Sequence, residues 1–508
     1  MNVKNVLTGG DKPGRAVTLG IQHVFAMFGS TVLVPALTGL DPAVTLLCMG
    51  IGTLIFHLIT RGIVPAFMGS SFSFIASIGA VSAYCADNGI SGFASYVGWG
   101  IIASGVLYLL LAGLVKLVGA KRVTSFFPPV VTGCMIIIIG MMLAPTAMNN
   151  IVTVPGAVPQ GAIVQAEDFD REGDYAYINA GSVSGWALKA NLAQAPDVEA
   201  DEANGIEAYS NSGKDYTVKT VGGISLLEEA SADASTISGT ATWKNWVVAI
   251  FTVLVIIVVM FFAKGFLKLI PILIGIVAGY LLAMALGMVN TASVVGASWF
   301  AVPKVSLPAV RNWSAIIYAI TMIAPISVVT FVEHVGDITA NGAVTGHNYI
   351  EEPGLHRTLL GCGLASVFSG MMGGPAATTY SENTGVLAAT RNYNPATLRI
   401  AAVFAIALSL FGKVSGVLQS IPAPVMGGVS VVLFGMIASV GLRMLVEYSV
   451  DFTKSRNLII AAVMLVIGLG LSSGISIGSV SISGTAIAAV LGVVLNKILP
   501  KKESGEEA

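Results

Sequence analysis

Residues 125–142 read SFFPPVVTGCMIIIIGMM, and residues 420–437 read SIPAPVMGGVSVVLFGMI. At one constant offset of 295 positions, Ser125 matches Ser420, Pro129 matches Pro424, Val130 matches Val425, Gly133 matches Gly428, Gly140 matches Gly435 and Met141 matches Met436. With its flanks, each stretch is long and apolar enough to cross a hydrocarbon layer, which takes about 20 residues of helix. The chain therefore repeats a membrane segment, and the fold depends on what else repeats with it.

Hydropathy marks about fourteen spans: about 16–38, 43–60, 65–84, 94–116, 126–148, 245–263, 269–289, 314–337, 357–374, 377–390, 399–418, 424–443, 457–474 and 478–497. The two matched stretches are spans five and twelve. Span one carries Gln22-His23-Val24, and span eight carries Glu333-His334-Val335. Span three has Pro65-Ala66 before Ser70-Ser71-Phe72, and span ten has Pro375-Ala376 before Tyr380-Ser381-Glu382. Partners always lie seven spans apart. An odd repeat reverses orientation, so the halves read as inverted copies. That is a transporter architecture, with its site near the midplane where broken helices meet. The expected fold is an all-α polytopic membrane protein, a 7+7 inverted repeat of about 14 transmembrane spans. Residues 1–149 hold spans one to five, 150–243 an insert, 244–300 spans six and seven, and 301–508 spans eight to fourteen. The first span is too long for a signal peptide and has no cleavage site.

Composition agrees. Apolar residues make up 55% of the 508 and charged residues 10%, where a soluble domain carries about 25% charged. A soluble enzyme of ordinary composition, a collagen-like chain and a disulfide-built domain are excluded. Cys48, Cys85, Cys134 and Cys362 stand singly, without metal-ligand spacing, and read as packing residues, so no metal site is expected. The net charge of -1 hides a division: residues 150–243 hold 14 acidic and 4 basic residues, and the other 414 hold 13 acidic and 22 basic. With both termini placed in the cytoplasm, eighteen of the 26 Lys and Arg fall on that side, and four of the remaining eight lie in the insert. This asymmetry supports a multi-pass protein of the cell membrane, with cytoplasmic termini and residues 150–243 extracytoplasmic. The basic residues mark a membrane face, not a nucleic-acid partner.

Spans three and ten are short and broken by Gly, Pro and Ser. Irregular backbone at membrane depth survives only where it lines a cavity or is buried in protein. These spans are expected to hold short strands that feed half-helices. The ionisable residues within spans are few: His23, Glu333, His334, Asp337, Glu382 and Lys413, with His57 near a cytoplasmic end. An intramembrane carboxylate costs about 2.5–3.5 kcal/mol even on insertion scales, so Glu333, Asp337 and Glu382 are the functional candidates. Glu333 and Asp337 are four residues apart and share a helix face. Two such carboxylates do not both ionise easily in a low dielectric, and a carboxyl that exchanges a proton near neutral pH is what proton coupling requires. The competing reading is a buried acid that only hydrogen-bonds its neighbours. His23 and His334 read as neutral imidazoles between helices or as proton carriers. His57 is expected at the interface, and Lys413 is expected to reach the outer interface or to pair locally. Phe72, beside Ser70 and Ser71, reads either as a core ring or as a stacking wall for a planar ligand.

The stretch Glu382-Asn383-Thr384-Gly385-Val386-Leu387-Ala388-Ala389-Thr390-Arg391 resembles the signature of the nucleobase–ascorbate transporter family, the nucleobase:cation symporters. Gln22–Gly29, Gly69–Phe72, Glu333–Gly336, Pro353–Arg357 and Thr378–Asn383 resemble the bacterial uracil permeases of that family. The resemblance covers both membrane halves and leaves out the insert. It implies a core domain of spans 1–4 and 8–11, a gate domain of spans 5–7 and 12–14, and a substrate between them beside the strands of spans three and ten. It implies that Glu333 and Glu382 bind the base and that Phe72 packs on its ring. Backbone near Tyr380, Ser381 and Ser30 would line the pocket, and Ser430 would contribute from the gate. His23, His334 and Asn383 would support the site. Glu333, Asp337 and Glu382 are the candidates for proton coupling. Two positions depart from the pattern: 337 is Asp where a close family member has His, and 434 is Phe where Tyr is familiar.

The expected function is secondary active import of a nucleobase, foremost uracil, by proton symport with alternating access, one domain moving past the other. Protons are favoured over sodium, no cofactor is expected, and a homodimer surrounded by membrane lipid is the expected assembly. The alternatives are a xanthine-type purine permease, a small-anion transporter on a related inverted repeat, and a channel or sensor. An anion carrier should show a cation at the broken helices, and a channel a continuous polar stripe. An enzyme is disfavoured, because no nucleophile–base set appears beyond a weak mimic in His23 and Ser30. The insert has no Cys, and Tyr216–Val221 alternates as strands do. Phe169, Tyr175, Tyr177 and Trp186 offer a small core, so the insert reads as a small β-rich domain or a disordered acidic loop.

Overall fold

The computed structural model describes residues 13–126, 128–152, 163–169, 175–180, 183–188, 192–194, 215–218, 243–289, 291–471, 475–477 and 480–500. The first half comprises α1 (Pro13–Thr38), α2 (Pro42–Ile59), β1 (Met68–Ser70), α3 (Ile75–Asp87), α4 (Phe93–Val118), α5 (Pro129–Met142), α6 (Ala144–Val152), α7 (Trp243–Phe262) and α8 (Pro271–Ala285). Strands β2 (Ile163–Phe169), β3 (Tyr175–Ala180), β4 (Val183–Leu188), β5 (Leu192–Gln194) and β6 (Asp215–Val218) lie between α6 and α7. The second half comprises α9 (Trp313–Ile323), α10 (Ser327–Thr345), α11 (Leu355–Met372), β7 (Ala377–Thr379), α12 (Ser381–Thr390), α13 (Pro395–Ser409), α14 (Gly412–Gln419), α15 (Ala423–Glu447) and α16 (Ser455–Gly470). It ends with β8 (Ile475–Ile477), β9 (Val480–Ile482) and α17 (Gly484–Ile498).

The protein is a mostly helical, polytopic membrane protein. Among the described residues, seven helices are long and apolar enough to cross a membrane, or eight if α13 and α14, bent by 81°, form one span. Four shorter apolar helices of 10–17 residues accompany them. Local sequence explains where helices start. Asp41 caps α2 by accepting from Ala43 N at 2.7 Å and Val44 N at 3.1 Å, with Pro42 in the first turn, where a missing N–H costs nothing. Asn394 and Pro395 repeat the device at α13.

Packing divides the helices into two groups. In one, α2 packs on α11 and α13, α1 on α13, and α4 on α9 and α11. Its core includes Met27, Phe56, Phe67, Tyr108, Phe331, Leu359, Tyr380 and Leu398. In the other, α5 packs on α15 and α16, α7 on α8 and α15, and α16 on α17. A second cluster there joins Val130, Met135, Ile272, Met426, Phe434 and Met464, and reaches Leu33, Val34 and Val329 of the first group. With little hydrophobic drive between helices in lipid, close approach of small residues carries much of the association. At the α4–α11 crossing a Cβ on Gly105 would lie 2.7 Å from the Gly363 carbonyl oxygen, and one on Gly363 would lie 2.9 Å from that of Gly105.

Several expectations need correction. Residues 480–482 of the expected last span form β9, paired with β8, and the helix starts only at Gly484. The reason is visible in Ile475-Ser476-Ile477-Gly478-Ser479-Val480-Ser481-Ile482, which alternates with period two. Span eleven, expected over 399–418, is two helices that begin at Pro395 and bend sharply at Leu410–Phe411. His57, in the last turn of α2, is buried, and its Nε2 lies 2.9 Å from the Ala66 carbonyl oxygen, because the chain turns back after α2. Lys413 donates locally, to the carbonyls of Val294 at 2.7 Å and Val295 at 3.2 Å.

Between α6 and α7 the strands form one antiparallel sheet in the order β4-β3-β2-β6-β5. Phe169, Tyr175, Tyr177 and Trp186 lie on these strands, with Tyr177 opposite Trp186. Their expected ring core, Lys219–Val221 and the terminal lysines Lys4, Lys12, Lys501 and Lys502 fall outside the described residues. All four cysteines are free and buried, and no group of potential metal ligands occurs among the described residues.

Candidate functional site

The two broken segments meet. β1 and β7 pair antiparallel, with Met68 opposite Thr379, Gly69 opposite Thr378 and Ser70 opposite Ala377. Three residues of strand leave many backbone groups without ladder partners, and side chains from the surrounding helices satisfy them. Thr53 Oγ1 accepts from Met68 N at 2.9 Å, and Asn341 Nδ2 donates to Pro65 O at 2.8 Å. Ser366 Oγ accepts from Ala377 N at 3.1 Å, Cys362 Sγ donates to Ala377 O at 3.2 Å, and Ser369 Oγ donates to Pro375 O at 2.5 Å. The irregular backbone is therefore built into the protein interior, as membrane depth demands. Half-helices α3 and α12 lead away from the two strands, the first after a single 3₁₀ turn at Phe72–Phe74.

The three intramembrane acids converge on this junction. Glu382 sits in the first turn of α12, where the helix dipole favours an acid, and its Oε1 accepts from Ser30 Oγ of α1 at 2.7 Å. Asp337 of α10 accepts twice: from Thr379 Oγ1 to Oδ2 at 2.7 Å, and from Ser381 Oγ to Oδ1 at 2.7 Å. Glu333, one turn earlier, accepts from Ser73 Oγ at 3.3 Å, its one hydrogen bond among the described residues. Its carboxylate lies within electrostatic reach of Asp337 and Glu382. No cation is ion-paired to the cluster, since the ion pair found among the described residues is the exposed Arg443–Glu447.

An aromatic wall stands beside the acids. The Phe72 and Tyr380 rings are parallel within 10°, their centroids 6.4 Å apart. Tyr380 is fixed by its hydroxyl, which donates to Ser70 O at 2.9 Å, and by the bare backbone of Gly69, where a Cβ would collide with its ring. Phe72 is only partly buried and Ser381 is exposed, so wall and acids border open space. Val429, Leu433 and Phe434 of α15 belong to the apolar cluster against which Phe72 packs.

The structure thus brings together Glu333, Asp337, Glu382, Ser30, Phe72, Tyr380 and Ser381. His23 and Asn383 form an adjoining contact: Asn383 Nδ2 lies 3.1 Å from both the His23 carbonyl oxygen and Nδ1, which ties α12 to α1. His334 stays apart, its ring edge-on to Tyr108 of α4 at 6.3 Å. Ser430 is buried on α15, its hydroxyl has no hydrogen-bond partner among the described residues, and it makes no bond to the acids. Sequence reasoning missed Ser73 and Thr379, the hydroxyls that hold Glu333 and Asp337. The available signal was their position on broken spans, one residue after Phe72 and one before Tyr380.

Comparison with known proteins gives concordant results. The family model described as "Permease family" (Xan_ur_permease) matches residues 14–171 and 216–477. A uracil permease of Bacillus caldolyticus is 38% identical over 99% of this chain and 97% of its own length. The uracil permease of Escherichia coli K12 is 33% identical over 95% of this chain and 91% of its own. Among solved structures, the transmembrane domain of the cyanobacterial bicarbonate transporter BicA aligns with a TM-score of 0.55 at 14% identity, covering 94% of this chain and 96% of that one. SLC26A9 aligns with a TM-score of 0.59 at 10% identity, over 97% of this chain and 68% of that one. At such identities these two likenesses concern the fold alone.

Proposed function

From the premise that this chain belongs to the permease family whose model spans both of its membrane halves, we propose that it imports a nucleobase, uracil foremost, by proton symport. The observation that carries this reading is the set of three acids and one aromatic wall gathered on two broken spans. A pyrimidine-2,4-dione offers two ring N–H donors and two carbonyl acceptors. An ionised carboxylate accepts from N–H, and a protonated one donates to a carbonyl. Phe72 supplies the flat apolar surface, and Glu333 and Glu382 supply the polar edge. An acid at 382 favours uracil over a xanthine-type purine, because the family's purine members tend to carry Gln there. The absence of a paired cation among the described residues at the cluster disfavours a small anion.

The packing supports fourteen crossings in a 7+7 inverted repeat. On that reading α2–α13 corresponds to α11–α4, α1–α13 to α9–α4, α7–α8 to α16–α17, and α7–α15 to α16–α5, and each pair is in contact with its counterpart present. The self-corresponding pairs β1–β7, α5–α15 and α2–α11 also touch, as elements on a pseudo-two-fold axis must. The first packing group is the core domain and the second the gate domain. We place both termini in the cytoplasm and the sheet between α6 and α7 outside the cell membrane. Exposed Ile250, Leu254, Val258, Phe261 and Phe262 of α7 face lipid, and a homodimer holds the gates still while the cores move.

The test is uptake of labelled uracil and labelled xanthine into cells or vesicles, with Glu382→Gln alongside. Uracil should enter and unlabelled uracil should compete better than xanthine, while Glu382→Gln should lose most uptake. Preferential xanthine uptake by the parent would favour the purine reading. Normal uracil transport by Glu382→Gln would remove that residue from the site.

A further inference from the structure

Lys413 stands in an apolar stretch, where a cation is costly enough to need a partner or a task. We propose that Lys413 is a positioning residue that latches together two crossovers between gate and core, so that they move as one strap during transport. This rests on the transport reading above. On the side placed outside the cell the chain passes between the two packing groups twice: from α8 to α9, and from α13 through α14 to α15. The two passages lie against each other. Gly412 N donates to Trp299 O at 3.1 Å, and Ala301 N donates to Leu410 O at 2.9 Å. These two bonds join the first passage to the bend between α13 and α14. A short helix of the first passage, Ala292–Gly296, packs on α14, and Ser293 Oγ donates to Gly416 O at 3.2 Å. Glycines let the backbones touch: a Cβ on Gly412 would lie 2.5 Å from Ser298 O, and one on Gly416 would lie 2.6 Å from Ser293 O. Lys413 closes the set. Its Nζ donates to Val294 O at 2.7 Å and to Val295 O at 3.2 Å, carbonyls at the C-terminal end of the short helix, where a cation is favoured.

The strap is tied to both domains. On the core side, Ser306 N donates to Met372 O at the end of α11 at 3.2 Å, and Trp99 Nε1 of α4 donates to Ala309 O at 2.8 Å. On the gate side, the Tyr280 hydroxyl of α8 lies 2.8 Å from Ser420 Oγ, and Lys244 Nζ of α7 donates to Leu286 O at 3.3 Å. A shift of the core against the gate is therefore passed through both crossovers at once. Lys413 suits the latch because its ammonium has three donors and no acceptor, and it spans two carbonyls of the other passage. The Trp299 ring, 6.0 Å from Nζ, adds an attraction of the same sign. Lys413 makes no hydrogen bond to the acids or to the aromatic wall among the described residues. Its loss should slow the movement of the domains and leave the binding of uracil as it was.

The test uses the full chain in proteoliposomes, with Lys413→Met, Lys413→Arg and the pair Val294→Cys/Lys413→Cys, and measures uracil binding to the same proteins in detergent. Lys413→Met should slow maximal uracil uptake per inserted molecule about tenfold, the cost of a charge-assisted hydrogen bond. Its affinity for uracil should stay within about twofold of the parent, because only the movement is impaired. Lys413→Arg should recover most of the rate, since a guanidinium also bonds the last carbonyls of a helix. The cysteine pair should be as slow as Lys413→Met when reduced. It should recover when joined by a bifunctional thiol reagent about as long as a lysine side chain, because the covalent link replaces the latch. The four native cysteines are buried and leave the new pair as the target. A joined pair that stops transport would mean that the passages slide past each other, and would overturn the proposal. So would uptake by Lys413→Met at the parent rate, or a loss of affinity equal to its loss of rate. Should Lys413→Met fail to insert, the cysteine pair decides: recovery on joining supports the latch, and arrest overturns it. A parent that neither binds nor takes up uracil overturns the uracil reading instead, and the same variants are then compared with labelled xanthine.

Discussion

Glu333, Asp337 and Glu382 were legible in the sequence because an acid within an apolar span is costly enough to need a reason. Their hydroxyl partners Ser73 and Thr379 were not, since Ser and Thr are common in membrane helices, where they bond their own backbone. The structure separates the two cases: Thr38 donates to Val34 O four residues back, while Thr379 reaches across to Asp337. The position of His57 near a span end was visible in the sequence, and the turn that packs it against Ala66 was not. Phe72 has the clearest consequence at this scale. Its ring lies parallel to Tyr380 and half open, so Phe72→Ala should raise the KM for uracil roughly tenfold, the loss of one stacking surface, and change the maximal rate less. Phe72→Tyr should keep affinity within a few-fold. Equal loss of affinity in both variants would mean that the ring is only a core residue.

At the scale of elements, the two broken segments are held by side chains of their neighbours, and this makes them brittle. Ser366 Oγ accepts from Ala377 N at 3.1 Å inside a buried setting. Ser366→Ala leaves that N–H unpaired, which should cost about 1–3 kcal/mol and lower the midpoint of thermal unfolding in detergent. An unchanged midpoint would mean that the backbone there finds other partners. Broken spans were readable from Pro65, Pro375 and the Gly and Ser around them. The β8–β9 hairpin was not, because Ile475, Ile477, Val480 and Ile482 satisfy a hydropathy window as well as a helix does. The period of two distinguishes them, and a scan for apolar content alone discards it. The 81° bend between α13 and α14 was hidden because the joined stretch still passes as one apolar span, although Gly412 and Lys413 stand just after the break.

At the scale of the whole molecule, spans three and ten were expected to meet as broken segments, and β1 and β7 pair. The insert was legible only as a charge and a period: an acidic stretch with one alternating segment, where the structure shows five strands in one sheet. Among the described residues its strands pair only with one another. Deleting residues 155–240 should therefore leave uracil uptake measurable. Loss of uptake in a deletion shown to be inserted and folded would give the insert a part in transport. The central claim is that proton and nucleobase move together through the acid cluster. Its most direct test is labelled uracil in proteoliposomes holding the full chain, with the outside acidified and then with the gradient collapsed by a protonophore. The account predicts transient accumulation above the outside concentration, lost on collapse and absent in Glu333→Gln. Uracil that merely equilibrates in the parent, with or without the gradient, would contradict it.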